Sequence, residues 1–277
     1  MPRTSDGIAA VAPASSGPAG PARPPRRDRL NPLLLYAVSL AVVHGAWQGA
    51  AYPFHLPLLF PPPTAAIGRL ARLVLDGTLE LAAAVSLLRI LVGFLAGSLL
   101  GILLGLLLGA GRTWRAVLEP YVHFLRFVPP LAWFAPVLLW VGTGELAKVL
   151  LIVYTTVFVV ALNTMAGVLA IPHNKLRMAS AFGASRPQIF LLVVLPGSLP
   201  YVLTGMRIAM GNSFMTVVAA EMLAANQGLG YLIQNGVLFL DTNTVFSGII
   251  ALGALGFLSD RAFRWATGRF GSRFTPG

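Results

Sequence analysis

Long apolar stretches, separated by short polar or basic segments, recur along the chain between residues 33 and 258. A helix that crosses the hydrocarbon core of a membrane needs about 20 predominantly apolar residues. Six stretches approach or reach that length: 33–51, 87–110, 124–141, 146–170, 198–220 and 243–258. The pattern therefore predicts an all-α fold, a polytopic transmembrane helical bundle with about six spans.

The first 32 residues lack this pattern and are rich in proline, alanine, glycine and serine, with a cluster of arginines near their end. Such a composition cannot bury enough apolar surface to pack a core. Residues 1–32 are therefore predicted to be a disordered, basic cytoplasmic tail, and residues 33–277 to be the membrane domain. A cleaved signal peptide is the competing interpretation of the first apolar stretch, but the leader before it is too long.

A short amphipathic helix is predicted at residues 64–76, directly after three consecutive prolines. Proline stops a preceding helix, and Thr64 is a suitable N-cap for the next one. The apolar residues that follow fall on one helical face and the arginines lie elsewhere, which is typical of a helix on a membrane surface. We expect this helix on the periplasmic side.

Composition excludes a soluble protein, because hydrophobic residues make up 56% of the chain and charged residues only 10%. Soluble domains carry about 25% charged residues. The net charge of +11 is spread over segments that flank the predicted spans, so it indicates a membrane protein and not a nucleic-acid-binding face. Most basic residues fall on one side of the bundle, and the positive-inside rule then places both termini in the cytoplasm.

Glycine recurs every four residues in the second predicted span, at Gly93, Gly97, Gly101, Gly105 and Gly109. At 3.6 residues per turn these positions form one slowly drifting stripe along the helix. Small residues at this spacing allow two membrane helices to approach closely, so the stripe predicts a tightly packed helix pair, within one subunit or between two. Arg89, the only charge in this span, is expected to extend toward the nearer membrane surface.

Motifs for catalysis and for nucleotide binding are missing from the sequence. No glycine is followed by lysine, which excludes the P-loop that holds ATP, and no HExxH segment supports a zinc site. We therefore predict no catalytic residue, no metal ligand and no cofactor bound by this chain. Glu119, Glu145 and Glu221 fall at the ends of the predicted spans, whereas proton-driven carriers usually hold acids within the membrane. The composition thus favours a pore or carrier subunit that is powered from outside the chain.

A basic segment follows the fourth predicted span. It is defined by Arg177, Met178, Ala179, Gly183, Ala184, Ser185, Leu195 and Pro196. The segment resembles the EAA loop of ABC importer permeases, in which Glu-Ala-Ala is followed by glycine, then by an aliphatic residue and Leu-Pro. Ala179, Gly183 and the Leu-Pro pair match that pattern, whereas Arg177 and Met178 depart from its leading Glu and Ala.

Further segments extend the resemblance over nearly the whole chain from Pro61 onward. They are residues 61–64, 88–94, 127–132, 142–148, 205–209, 220–222 and 228–230. These segments look like those of nitrate, sulfonate, taurine and bicarbonate permeases, the binding-protein-dependent transport inner membrane components. The resemblance implies the type I ABC importer permease fold, in a multi-pass protein of a bacterial inner membrane. It also implies an ABC ATPase dimer that binds ATP and Mg, a periplasmic solute-binding protein, and a second permease copy, usually in a homodimer.

The same resemblance implies that the loop at residues 171–190 couples the permease to its ATPase. A short helix at residues 177–183 is expected to sit in a groove on the ATPase and to end at Gly183, because glycine tolerates the left-handed cap conformation. ATPase closure would then rock the spans between inward-facing and outward-facing states. Where the family has Glu, Arg177 needs an acidic or neutral partner, so we expect a dedicated ATPase and not a shared one.

Candidates for the translocation path are Arg126, Trp133, Arg207, Asn212, Ser213, Phe214, Thr216 and Glu221. Arg126 and Trp133 flank Pro129-Pro130, which should break the third span, and broken helices often border transport routes. For Arg207, attraction of an anion and a structural ion pair both remain open. Glu221 lies near the outer end of its span and could cap the next element or touch the binding protein.

Together these inferences predict the transmembrane permease subunit of a binding-protein-dependent ABC importer. It would move a small anion, such as a sulfonate, nitrate or an organic carboxylate, with energy from ATP hydrolysis by the partner. A self-sufficient secondary transporter driven by an ion gradient is the first alternative, and an intramembrane enzyme is the second. The missing P-loop and the EAA-like loop together favour the importer over both.

Overall fold

The structure, a computed structural model, describes residues 31–51 and 59–271. The predicted tail lies outside this part of the chain except for its last two residues, of which Pro32 begins the first helix. All regular elements in the described residues are helices, which confirms the all-α prediction.

The described residues form eleven α-helices, joined by turns and short loops. They are α1 (Pro32–Ala51), α2 (Pro63–Leu75), α3 (Thr78–Ala110), α4 (Arg112–Phe127), α5 (Phe134–Val141), α6 (Glu145–Leu169), α7 (His173–Ala181), α8 (Arg186–Ile189), α9 (Leu195–Ala224), α10 (Leu229–Leu238) and α11 (Thr242–Gly271). A 3₁₀ turn at Pro130–Trp133 precedes α5, and five residues of wider π-helical turn, Phe190–Val194, precede α9.

Five helical segments are long and apolar enough to cross a membrane: α1, α3, α6, the continuous segment Arg186–Ala224, and α11. The pair formed by α4 and the segment Pro130–Val141 supplies a sixth span if the bent pair is counted as one. The count agrees with the prediction. Several helices extend beyond the predicted apolar stretches: α3 begins at Thr78 and α11 continues to Gly271.

The third predicted span, residues 124–141, is the one that the structure corrects. α4 begins at Arg112, and the chain bends by 91° between α4 and the segment that starts at Pro130. Pro129 and Pro130 explain the bend, because proline has no backbone N–H to continue a helix and the residue before it avoids the helical region. The break at these prolines agrees with the sequence-based expectation, whereas the predicted start at residue 124 is wrong, because the bent pair begins at Arg112.

α6 lies at the centre of the bundle, between α3 and α9. The three helices share one buried apolar cluster, to which α3 contributes Ile90 and Phe94, α6 contributes Ile152 and Val160, and α9 contributes Val217 among others. Lipid offers no hydrophobic driving force between helices, so close packing must hold such a bundle together.

The glycine stripe of α3 lies against α6 of the same subunit. A Cβ atom added to Gly93 would lie 2.6 Å from the Cβ of Ile152, and one added to Gly101 would lie 2.7 Å from the backbone oxygen of Val157. The other glycines face the same helix, with Gly97 opposite Thr156, Gly105 opposite Thr164 and Gly109 opposite Val168. Any side chain on the stripe would push the two backbones apart. The sequence left open whether the stripe packs a helix pair within one subunit or between two. The structure contains the pair within one subunit.

α2 packs on α3 and α11 and is not held by a membrane surface alone. The Ser247 hydroxyl of α11 donates a 2.9 Å hydrogen bond to the buried backbone oxygen of Ala66. The prediction that Thr64 caps α2 is wrong: Pro62 occupies the cap and Pro63 the first helical position. That position suits proline, because its missing N–H would have no partner within the helix.

Candidate functional site

A cavity of about 260 Å³ lies between the bend after α4, the middle of α6 and α9. Its polar lining consists of Arg126, Tyr154, Thr155, Asn212 and Thr216. Its apolar lining consists of Val128, Pro130, Phe158, Val159 and Met215. The bend contributes Val128 and Pro130 to the lining, so the break at the prolines forms one wall of this space.

Hydrogen bonds between α6 and α9 fix the polar wall of the cavity. The hydroxyl oxygens of Thr155 and Thr216 lie 2.9 Å apart, and the Thr216 hydroxyl also donates to the backbone oxygen of Asn212 at 3.0 Å. The Tyr154 hydroxyl donates to the backbone oxygen of Leu125 at 2.6 Å, which ties the end of α4 to α6.

Arg126 brings a positive charge to the rim of the cavity. Its guanidinium carbon lies 4.7 Å from the centroid of the Phe127 ring, a cation–π arrangement that orients the side chain. The side chain is exposed, so its N–H groups can meet an anion. A guanidinium presents donors in a planar fork that matches oxyanions, and the nearby apolar wall suits a small hydrocarbon group.

Other candidates for the path lie elsewhere. Ser213 is fully buried, and its hydroxyl lies 3.2 Å from that of Thr156, so it joins α6 to α9. Trp133 packs on Tyr154, with ring centroids 5.8 Å apart, and Phe214 faces a groove between α9 and α11. Of the predicted path residues, the structure brings three together at the cavity: Arg126, Asn212 and Thr216.

Arg207 pairs with an acidic residue of α11. Its Nε donates to Asp260 Oδ1 at 2.8 Å, and Arg264 Nη2 lies 3.0 Å from the other carboxylate oxygen. Of the two roles considered for Arg207, the structural ion pair is therefore present. The pair borders the groove of about 610 Å³ that contains Phe214.

An ion cluster joins α3, α6 and α9 at one end of the bundle, with Arg89, Lys148 and Glu221 buried and Glu145 62% exposed at its edge. Arg89 of α3 is only 5% exposed and donates to both carboxylate oxygens of Glu145, at 2.5 and 2.7 Å. Its Nη1 donates to Glu221 at 2.7 Å, and Lys148 Nζ lies 3.0 Å from Glu145. Two cations thus face two carboxylates. The expectation that Arg89 extends toward the membrane surface is wrong, because protein carboxylates meet its charge instead.

Glu221 also holds the start of α10. It is 1% exposed, accepts 2.8 Å hydrogen bonds from the Ser86 hydroxyl, and accepts one of 2.9 Å from the backbone N–H of Gly230. A carboxylate at this position satisfies an N–H group that has no partner within α10. Glu221 therefore caps the next helix, which is one of the two roles considered for it.

The sequence analysis did not predict this ion cluster, although two features of the sequence indicate it. A lone arginine inside an apolar span is expensive unless it is paired, and two glutamates end or begin neighbouring spans. The pairing itself joins residues far apart in sequence, so it depends on the relative positions of three helices. A sequence gives no direct information on those positions.

α7 ends as the glycine predicts. Gly183 has a φ of +80°, and the N–H of Ala184 donates to the backbone oxygen of Ala179 at 3.1 Å, which forms a left-handed helix cap. Arg177 is exposed, Met178 is 54% exposed, and Phe182 at the helix end is 90% exposed. These exposed apolar side chains on a short polar helix make α7 a candidate contact surface.

The chain continues from this loop into α9 as one helical path. The backbone N–H of Ser185 donates to Gln188 Oε1 at 2.7 Å, which begins α8 with a capping box. The π-helical turn comes directly before Leu195 and Pro196. Pro196 has no N–H, and its ring would collide with the carbonyl four residues earlier in a regular α-helix, which the wider turn avoids. Asn212 and Thr216 thus lie on the same path as the loop.

Comparison with known proteins places the chain in a family. The model of the binding-protein-dependent transport system inner membrane component matches residues 97–271. The chain is 38% identical over 224 residues to the taurine transport system permease protein TauC of Escherichia coli, covering 79% of this chain and 81% of that protein. A second Escherichia coli relative, SsuC, described as an aliphatic sulfonates transport permease protein, is 39% identical over 202 residues, 73% of this chain and 77% of its own.

Another relative and a solved structure agree with this assignment. The bicarbonate transport system permease protein CmpB of Synechococcus elongatus is 34% identical over 192 residues, 69% of each chain. A chain of the inward-facing MetNI methionine ABC transporter aligns with a TM-score of 0.58 at 21% identity, covering 69% of this chain and 93% of that one, which supports the fold alone. The resemblance seen in the sequence is confirmed: the chain belongs to the binding-protein-dependent transport system inner membrane components, as an ABC importer permease of the taurine, sulfonate and bicarbonate type.

Proposed function

We propose that this permease moves a small anion, such as a sulfonate, nitrate or an organic carboxylate, across the inner membrane with energy from a partner ATPase. ATP and Mg would be held by that partner. The observation that carries the proposal is the helical path from the exposed α7 loop to the cavity residues Asn212 and Thr216. Motion of the loop would be transmitted along this path to the wall of the cavity.

The lining of the cavity supports an anionic solute with a small apolar part. Arg126 would attract the anionic group, and the Asn212 amide can donate to its oxygens. The Thr155 and Thr216 hydroxyls add polar surface to the same wall, with their protons engaged between α6 and α9. The apolar walls would accept the hydrocarbon part, as in most small-molecule sites. Relatives that are named for taurine, sulfonate and bicarbonate transport point to the same class of solute.

α7 would dock on the ATPase through its exposed side, with Met178 and Phe182 in an apolar groove. Arg177 beside them would face an acidic or neutral group, so the ATPase would be a dedicated one. ATPase activity, measured with this permease and either its own ATPase or one from a sulfonate-permease relative, tests that specificity. Equal activity with both would contradict it.

We place both termini in the cytoplasm and a second copy of the chain against α9. The first placement follows from the basic residues that flank the spans. Met215 is 76% exposed between the cavity and the groove that Arg207 borders, and a second copy over this surface would enclose the cavity.

Purification of the tagged chain from its native membrane, with identification of its partners, tests the proposal. We expect an ATPase with a P-loop to be recovered with the wild-type chain. Gly183→Ala should reduce that recovery about five- to thirtyfold, since a left-handed conformation costs a residue with a Cβ about 1–2 kcal/mol. Gly144→Ala is the matched control, because Gly144 has a φ of −66° and no heavy atom lies within 4 Å of its added Cβ.

Two results would count against the proposal. Equal recovery of the ATPase with both variants would mean that the α7 cap does not shape the docking surface. Transport by the purified chain alone, driven by an ion gradient, would instead support the secondary transporter.

A further inference from the structure

A second cavity, of about 580 Å³, lies where α3 and α6 end beside α7 and α8. Three basic side chains line it: Arg115 of α4, His173 of α7 and Arg186 of α8. Among the described residues that line this cavity there is no Asp or Glu. The remaining wall is largely apolar and includes Val168, Ile171 and Phe190.

The two arginines are available to bind an anion. Arg115 donates to the backbone oxygens of Leu108 and Gly109 at 3.2 and 3.5 Å, so its guanidinium is held in place by the last turn of α3. Arg186 is exposed. In the described part of the chain neither forms an ion pair within 4 Å, and Glu119, one turn after Arg115, pairs with His123 instead.

The position of the cavity favours an amphiphilic anion. Two spanning helices end beside it, α3 at Ala110 and α6 at Leu169, so it lies at the level where a bilayer changes from hydrocarbon to headgroups. Leu169, which lines the cavity, is 46% exposed and so provides apolar surface at the opening. A free phosphate would use the arginines but would leave the apolar wall without a partner.

We propose that this cavity binds an anionic phospholipid. Its phosphate would lie between Arg115 and Arg186, whose planar donor groups match phosphate oxygens, and the first part of an acyl chain would lie along Phe190 and Ile171. Basic pockets between spanning helices are suited to such headgroups. Because His173 begins α7, the bound lipid would also support the helix that we propose as the ATPase contact, and this consequence rests on the proposed function.

Lipid binding to the purified full-length permease tests the proposal directly. The delipidated protein would be titrated with phosphatidylglycerol or phosphatidylcholine in detergent, and native mass spectrometry would count the bound lipids. We expect tighter binding of phosphatidylglycerol. Arg186→Gln removes an exposed side chain that forms no hydrogen bond or ion pair within the described residues, and it should weaken that binding about fivefold. The double variant with Arg115→Gln should weaken it more than about tenfold.

The control is Arg112→Gln, which removes an exposed arginine from the first turn of α4 outside the cavity lining and should leave phosphatidylglycerol binding unchanged. Equal binding of phosphatidylglycerol by the wild type and Arg186→Gln would overturn the proposal. So would displacement of the lipid by millimolar inorganic phosphate, which would identify a free anion as the ligand. The titration contains no ATPase, so its outcome is independent of the co-purification that tests the proposed function.

Discussion

At the scale of single residues, charge pairing inside the bundle is the main departure from what the sequence suggests. Arg89 and Glu221 are almost fully buried and bind each other, and Glu145 and Lys148 complete the cluster. Buried charges are tolerated only when they are paired and hydrogen-bonded. Here each charge has an opposite partner, and the cluster fixes the relative positions of three helices.

We expect Glu221→Gln to destabilise the permease by about 3 kcal/mol, the lower end of the range for breaking a buried ion pair, because Glu145 still accompanies Arg89. The variant keeps the shape of the side chain but removes its charge. The midpoint of thermal unfolding of the purified protein in detergent measures the effect.

Glu119→Gln is the matched control, since the one ion pair that Glu119 forms among the described residues is with His123, at 3.5 Å, and both side chains are partly exposed. Exposed pairs contribute about 0–1 kcal/mol, so this variant should behave almost as the wild type. If both variants lowered the midpoint of thermal unfolding by similar amounts, the ion cluster would contribute no more to stability than an exposed pair.

At the scale of helices, close backbone approach between α3 and α6 organises the bundle. The glycine stripe was recognisable in the sequence because its period matches the helix, and so was the break at Pro129-Pro130, because proline acts locally. The true start of α3 at Thr78 was not recognisable. Ser86, just before the predicted apolar stretch, and Arg89, in its first turn, lie in α3 with Glu221 and Glu145 as their partners.

Gly101→Ala should destabilise the α3–α6 pair by about 1–3 kcal/mol, the usual cost of overpacking. The added Cβ would meet the backbone oxygen of Val157 at 2.7 Å and the Cβ of Val160 at 2.8 Å, and a backbone cannot easily move away. Gly253→Ala in α11 is the control, with no heavy atom within 4 Å of its added Cβ. Unfolding midpoints that fall equally in both variants would contradict tight packing at the stripe.

At the scale of the whole molecule, the candidate site was predictable only in part. Asn212, Thr216 and Arg126 were selected from the sequence because polar residues within spans and charges beside broken helices are unusual. Ser213 was selected by the same rule, yet it turns toward α6 and bonds with Thr156. Neighbouring positions on one helix face different directions, and which of them meets the cavity depends on how α9 is rotated against α6.

Replacing Thr216 with leucine should reduce uptake of the transported anion about tenfold, the factor that corresponds to about 1.4 kcal/mol of added barrier. The larger side chain would fill the cavity and remove the contact with the Thr155 hydroxyl. Uptake of taurine, an aliphatic sulfonate and bicarbonate by cells with the complete transporter provides the measurement.

Leu223→Phe serves as the control for Thr216→Leu, because Leu223 is on the same helix, is 56% exposed and does not line the cavity. The expression level of each variant has to match that of the wild type. Unchanged uptake of every solute by the Thr216 variant would remove this cavity from the translocation path.

The uninterrupted helical path from Arg186 to Ala224, 39 residues long, constrains chain length more than residue identity. An α-helix turns by about 100° per residue, so one residue inserted or deleted between the loop and Asn212 would rotate the cavity wall away from α6. The π-helical turn at Phe190–Val194 is equivalent to such an insertion, absorbed within one turn. Lineages that carry this permease should therefore tolerate substitutions along the path but not gaps, and an alignment gap there would have to be compensated at the π-helical turn.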